Sequence, residues 1–257
     1  MVWNGAAWDN NYAAWFNTFD SQMQTLTVSE GVGVTRDSGN VAIQFANGTG
    51  SFVFQGADLT LLGVSGEHYI MLAGGGSAMF NNRVISQIRL NMLPLAGSTL
   101  TFNGGLTVAG EMLVDWFNEG VVHFSGGTFD IAESVLQTQN WVITGASKVT
   151  SGGGHVALRG NMVVSGADAA VSFAGDAWNN SAGSSEHGGS INLVSGAMNF
   201  SGGLSVLNAD RNDVSGTVAL LNVSGGALTV GGNTGLVLLS TFWNGGAGTA
   251  VVTVSGV

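Results

Sequence analysis

The residues of this chain best suited to chemistry are its carboxylates and its tryptophans. Glu111 and Glu133 fall at nearly the same phase of neighbouring repeats. If adjacent strands carry them side by side, they lie about one strand spacing apart. Two carboxylates that close raise one pKa, or together bind a hard cation such as calcium. A one-residue shift of register would send them to different faces instead. Trp116, Trp178 and Trp243 are the second candidate set, because flat indole rings complement the apolar face of a sugar. They belong to a recurring aromatic–Asn element: Phe16-Asn17, Phe117-Asn118, Trp178-Asn179 and Trp243-Asn244. A structural loop element, with aromatics and asparagines stacking turn on turn, would recur in the same way. Ligand binding therefore has five candidate residues, and no residue is assigned to catalysis or to a metal.

The remaining polar groups say less. Asp115 and Glu119 flank Trp116 and read as solvated loop acids. Asp210-Arg211-Asn212-Asp213 is the densest charged run, but Arg211 within it opposes a cation site. Glu186-His187 lies in the longest polar insertion, Trp178 to Ser190, an exposed loop of the kind that carries recognition on rigid scaffolds. His68, His123, His155 and His187 are far apart and lack the spacing of metal ligands. His123 takes an outward phase between Val122 and Phe124. Gly74-Gly75-Gly76 is a corner, not a phosphate loop, because no helix follows it. No cofactor is implied.

Composition constrains the elements that must position these groups. The chain has 257 residues with 42 Gly, one Pro, no Cys, 45% apolar residues and 9% charged residues. Ordinary soluble domains carry roughly 25% charge. The absence of Cys excludes a disulfide scaffold, and the apolar content excludes disorder. Net charge is -10, and the six basic residues form no patch. Nucleic acid and anionic membrane surfaces are therefore not expected partners. No apolar run approaches the roughly 18 residues of a membrane-spanning helix. The chain opens on Met1-Val2-Trp3 without the pattern of a signal peptide. Its Asn-, Ser-, Thr- and Gly-rich polar complement reads as extracellular, as in a mature secreted or cell-surface segment.

A repeat organises the sequence. Leu221-Asn-Val-Ser-Gly-Gly-Ala-Leu-Thr-Val230 and Ile191-Asn-Leu-Val-Ser-Gly-Ala-Met-Asn-Phe200 share one template, as do Leu100–Val108 and Val122–Ile131. The template is two alternating apolar residues, a polar-glycine turn, then two more. Alternation of period two predicts strands. Leu221, Val223, Leu228 and Val230 are expected to face inward, and glycine supplies the corner. Anchors before each turn are Val28, Phe54, Phe102, Phe124, Ile143, Val164, Leu193, Val223 and Val254. The wide gap from Phe54 to Phe102 should hide a degenerate copy near Ile70-Met71-Leu72. Further strands are expected at Met112–Val114 and Leu236–Leu239. One coil cannot bury its apolar face, so stacked coils are required. The prediction is an all-β, single-domain parallel β-solenoid of roughly ten coils, with repeats over 21–257. Residues 1–20, rich in Trp and Phe, form either an N-terminal cap or an atypical first coil, and Ala6 to Phe19 is the one stretch that could be helical. The chain is expected to stop within a repeat at Ser255-Gly256-Val257.

The pattern at 221–232, with Trp3-Asn4-Gly5 and Ala6-Ala7-Trp8 near the start, resembles the passenger domains of bacterial autotransporters and their autotransporter-associated β-strand repeat. The resemblance implies a right-handed β-helix on a cell surface, serving adhesion or aggregation. The family's membrane barrel has no counterpart here. The expected function is that of an extracellular structural or adhesive module acting through self-association or surface glycans. The alternative is a polysaccharide lyase or hydrolase on the same scaffold, which would need clustered outward acids beside a base. Ice binding would need a regular Thr ladder, and Thr101, Thr107, Thr229 and Thr253 look too scattered for one.

Overall fold

The computed structural model describes residues 14–17, 23–30, 33–36, 40–46, 50–72, 75–114, 120–137, 140–158, 160–179, 189–208, 217–233, 235–240 and 248–255. These residues form 27 strands, with no helix among them. Every pairing is parallel. Ten strands make one sheet and seventeen make another. A single winding shows the path. Arg89–Pro94 lies in the first sheet, and Thr99–Phe102 and Leu106–Val108 lie on two adjoining faces of the second. The chain then returns as Met112–Val114 beside Arg89–Pro94. The molecule is a parallel β-solenoid, the fold class that the alternation and glycine turns imply.

The first eighteen strands group in threes as six regular windings, fewer than the roughly ten coils expected. Beyond them the corner between the second and third faces changes. Residues 165–168 and 194–196 stay within single long strands, Asn161–Phe173 and Ser190–Phe200, whose mutual register shifts around Ser165.

Register corrects two anchors. Phe54 stands level with Leu26, and Val28 stands level with Gly56. The hidden copy is Ser77–Phe80, with Phe80 between Phe54 and Phe102. Ile70, Met71 and Leu72 belong to the first sheet. Met112–Val114 and Leu236–Ser240 are first-sheet strands, as expected of further strands in the coil. Ala14–Asn17, inside the stretch read as possibly helical, is instead a strand paired with Val41–Ala46. The rest of 1–20 lies outside the described residues.

The core is built in columns. Phe54, Phe80, Phe102 and Phe124 stack at centroid distances of 4.7, 5.0 and 6.1 Å, and the column continues as Ile143, Val164 and Leu193. All seven are buried. Offset stacking of this kind adds roughly 0.5–1.5 kcal/mol per pair beyond area burial. Leu221 is buried, and Val223, Leu228 and Val230 pack against the core as the alternation requires.

Corners align from winding to winding. Gly105 and Gly127 both hold positive φ (100° and 83°), and a Cβ at Gly127 would stand 2.8 Å from the nitrogen of Gly105. Only glycine accepts both the conformation and that approach. Outside these corners runs a polar ladder: Asn103 Nδ2 donates to Asn81 Oδ1 at 2.7 Å, and the Ser125 hydroxyl donates to Asn103 Oδ1.

Candidate functional site

The carboxylate pair does not form as expected, and most of the tryptophan set lies outside the described residues. Met112 stands level with Val135, so Glu111 is level with Ser134, and Glu133 falls one residue out of line. Glu111 instead pairs with Arg89 of the preceding winding. A guanidinium therefore holds that carboxylate, and no second carboxylate stands beside it at that level. Tyr69 Oη donates to Glu67 Oε1 at 2.7 Å on the same face.

Trp116 and Trp243 lie outside the described residues, as do Asp115, Glu119, Glu186-His187 and 210–213. Trp178 lies in a first-sheet strand, Asp176–Asn179, level with Ala157 and Ser205. Following the pairings, Trp178 shares its column with Asn91, whereas Phe16 shares its column with Pro94. The two aromatic–Asn pairs that can be followed are thus strand residues in different columns, not one loop element recurring at one phase.

The structure places a different group of side chains together. On the third face the strands Gly33–Thr35, Leu59–Leu62 and Val84–Ser86 lie side by side. Gly33, Thr60 and Ile85 occupy the same outward position in three successive windings. They floor an open groove of about 520 Å³, lined also by Ala57, Leu62, Glu30 and Asp58. Leu62 is 38% exposed and leans across Gly33, where a Cβ would meet its Cδ1 at 2.4 Å. Asp58 and Arg83 each immediately precede the first inward residue of a third-face strand, Leu59 and Val84. Arg83 donates from Nε at 3.1 Å and from Nη2 at 2.6 Å to the same oxygen, Asp58 Oδ2. Both side chains are about half exposed, so the pair adds little stability, about 0–1 kcal/mol. Its effect is positional: it holds the Asp58 carboxylate at the groove. Below, the Asn82 amide donates to the Ala57 carbonyl at 2.7 Å and fixes that rim from inside.

The groove joins two acids and a largely apolar floor, with a base beside it, and the sequence reading missed it. The signal was present in the phase of Asp58 and Arg83 relative to Leu59 and Val84. Glycine-turn alignment does not reach it, because the turn between Phe80 and Val84 is Asn81-Asn82-Arg83 and lacks glycine.

Beyond the groove the outward column continues from Ile85 as Thr107, Asp130, Thr150, Ser172, Asn199 and Thr229. Of the threonines that look scattered in sequence, Thr107 and Thr229 share this line, whereas Thr101 and Thr253 fall in another column, on the second face with His123 and Asn222. Thr150 Oγ1 donates to Asp130 Oδ1 at 2.9 Å, and Asn199 Nδ2 donates to the Ser172 hydroxyl at 3.3 Å.

Two histidines are perturbed. His68 is fully buried, with Nδ1 2.8 Å from the Ser86 hydroxyl and Nε2 3.1 Å from the Leu62 carbonyl. Burial pushes its pKa below the usual imidazole value; the Leu62 carbonyl opposes this, and Arg36 adds to it. Burial also lowers His123, whose Nε2 is 2.8 Å from the Thr144 hydroxyl. Among the described residues no group of three or more His, Cys, Asp or Glu could hold a metal ion. Comparison with family models, curated proteins and solved structures finds no match to this chain.

Proposed function

We propose that this protein is an extracellular structural or adhesive β-solenoid module, secreted or held at a bacterial cell surface, that works through its extended outer face and through self-association. The observation that carries the reading is the outward column from Thr107 to Thr229, a line of short polar side chains repeated at the rung spacing of roughly 4.8 Å. Such a line offers several weak polar contacts at regular spacing to a repetitive surface, and their sum grows with the number engaged. Low charge, abundant small polar residues and the resemblance to autotransporter repeats support an outer-surface setting.

The test is adhesion. Beads coated with the whole chain should clump and should adhere to glycan-coated surfaces. Glutamates at Thr107, Thr150 and Ser172 should weaken both effects, because like charges one rung apart repel each other. Unchanged clumping and adhesion in that folded variant would overturn the reading.

One observation favours a second reading, a polysaccharide-acting enzyme on this scaffold. Asp58, Glu30 and Arg83 supply the outward acids and neighbouring base that such an enzyme needs. Turnover of a polysaccharide by the purified chain, abolished by Asp58→Asn, would establish it in place of the first.

A further inference from the structure

We propose that the groove of Glu30, Asp58 and Leu62 binds a glycan chain carrying amino groups and no acidic groups, laid across the rungs along the axis of the solenoid. The proposal rests on the adhesive reading of the outer surface and gives it a location and a ligand class.

The floor sets the direction. Gly33, Thr60 and Ile85 follow one another along the axis, about one strand spacing apart, so an extended chain lying over them meets three windings in turn. Leu62 and Ile85 present apolar surface to water, and covering it with the C–H face of a sugar ring is favourable. Over Gly33 the apolar surface is supplied by Leu62, whose side chain leans into the space the glycine leaves.

The polar groups set the chemistry. Both donors that Arg83 uses here go to Asp58 Oδ2, and among the described residues no hydrogen bond engages Asp58 Oδ1 or the Glu30 carboxylate. The rim therefore offers acceptors, and its ligand must donate through hydroxyl or ammonium groups. Two carboxylates line the groove and one guanidinium, paired with Asp58, lies beside it, on a molecule of net charge -10. That field attracts an ammonium-bearing chain and repels a polyuronate. A basic peptide would satisfy the charge but not the floor. The floor is the face of a sheet whose strands hydrogen-bond to one another in its plane, so a peptide lying across that face cannot pair with it as a strand.

The experiment is calorimetric titration of the whole chain with a glucosamine hexamer, an N-acetylglucosamine hexamer, a uronate hexamer and hexalysine, at low and high salt. The glucosamine hexamer should bind, more weakly as salt rises. The N-acetylated hexamer should bind less tightly, and the uronate not at all. Glu30→Gln and Asp58→Asn should each weaken glucosamine binding about tenfold or more, as expected for a lost hydrogen bond to a charged group. Leu62→Ala should weaken the glucosamine and N-acetylglucosamine hexamers alike, and Asp168→Asn, an exposed acid elsewhere, should change nothing. Failure of the wild-type chain to bind the glucosamine hexamer would overturn the proposal. So would equal affinity for the uronate or for hexalysine, or unchanged binding in Glu30→Gln and Asp58→Asn chains with wild-type far-ultraviolet spectra. Bead adhesion that survives loss of groove binding counts against this site alone, and groove binding without adhesion counts against the adhesive reading alone.

Discussion

Replacing Phe102 with alanine tests whether stacked columns hold this fold together. The ring is fully buried between Phe80, at 5.0 Å and 11° between planes, and Phe124, at 6.1 Å and 24°. Truncating a buried phenylalanine costs about 3–5 kcal/mol. Loss of two ring pairs at once, each worth roughly 0.5–1.5 kcal/mol, places Phe102→Ala near the upper end of that range. In a solenoid each winding touches only its neighbours, so the damage should stay local. Amide exchange followed by mass spectrometry should show protection falling over residues 77–131, by about a thousandfold for roughly 4 kcal/mol, while residues 190–200 hold theirs. Phe102→Leu should retain most of the stability, since the same column passes through Ile143 without a ring. Met79→Ala, at an outward position of the same face, should cost within about 0.5 kcal/mol. The reasoning fails if Phe102→Ala costs less than about 1 kcal/mol, or if protection drops equally along the whole chain.

Three further outcomes are expected. Burial, opposed by the Leu62 carbonyl and aided by Arg36, depresses the folded-state pKa of His68, so the unfolded chain takes up the proton first as pH falls. This contribution to stability is complete above the ordinary value of 6.5 and is lost as pH falls through the folded value; melting curves should show Tm falling on mild acidification and a flatter acid limb in His68→Gln, and a flat wild-type profile would refute it. A Cβ at Gly175 would stand 1.7 Å from the Gly154 oxygen, whereas one at Gly153 would meet nothing within 4 Å. Gly175→Ala should therefore cost about 1–3 kcal/mol or more in urea unfolding and Gly153→Ala almost nothing, and equal costs would count against the register of these corners. Trp141 is fully buried, and its Nε1 has no partner among the described residues. Trp141→Phe should cost well under the about 3–5 kcal/mol of Trp141→Ala, because removing an unsatisfied donor offsets about 1–3 kcal/mol of lost packing; equal losses would refute this.

The solenoid was legible because its determinants are local and repeated. Alternation in Leu221–Val230 states which side chains face inward, and the glycines state where the chain bends. The same reliance on glycine hid the Ser77–Phe80 strand, whose corner is built by Asn81 and Asn82, with the Asn82 amide on the Ala57 carbonyl in place of a bare backbone. Register was less legible. Glu111 and Glu133 differ by one residue in level, and a single residue decides both face and neighbour in a strand. The groove depends on register three times over, since Gly33, Thr60 and Ile85 are 27 and 25 residues apart and no shared motif marks them. Exposure of Leu62 and the joint grip of Arg83 on one oxygen of Asp58 are products of packing between windings, and no single repeat contains them.

The position of the groove follows from the periodicity that builds the rod. From Thr107 onward the outward column of the third face carries residues of similar size, so the face stays even and no one place is distinguished. Over the first windings the same column reads glycine, threonine, isoleucine. Side chains that grow from none at Gly33 through Thr60 to Ile85 make a step along the axis, and Leu62 leans into the space that Gly33 leaves. An ion pair is added at the same place: Asp58 and Arg83 occupy the edge position that later windings fill with Gly105, Thr128, Lys148, Ala170 and Ala197, none of them an acid. A solenoid can thus create a recognition site without adding an element to the fold, by substituting residues within columns it already has. Filling the step should remove the site and leave the scaffold intact. Gly33→Ala displaces the Leu62 side chain, so it should reduce glucosamine-hexamer affinity while leaving amide protection beyond Thr107 unchanged.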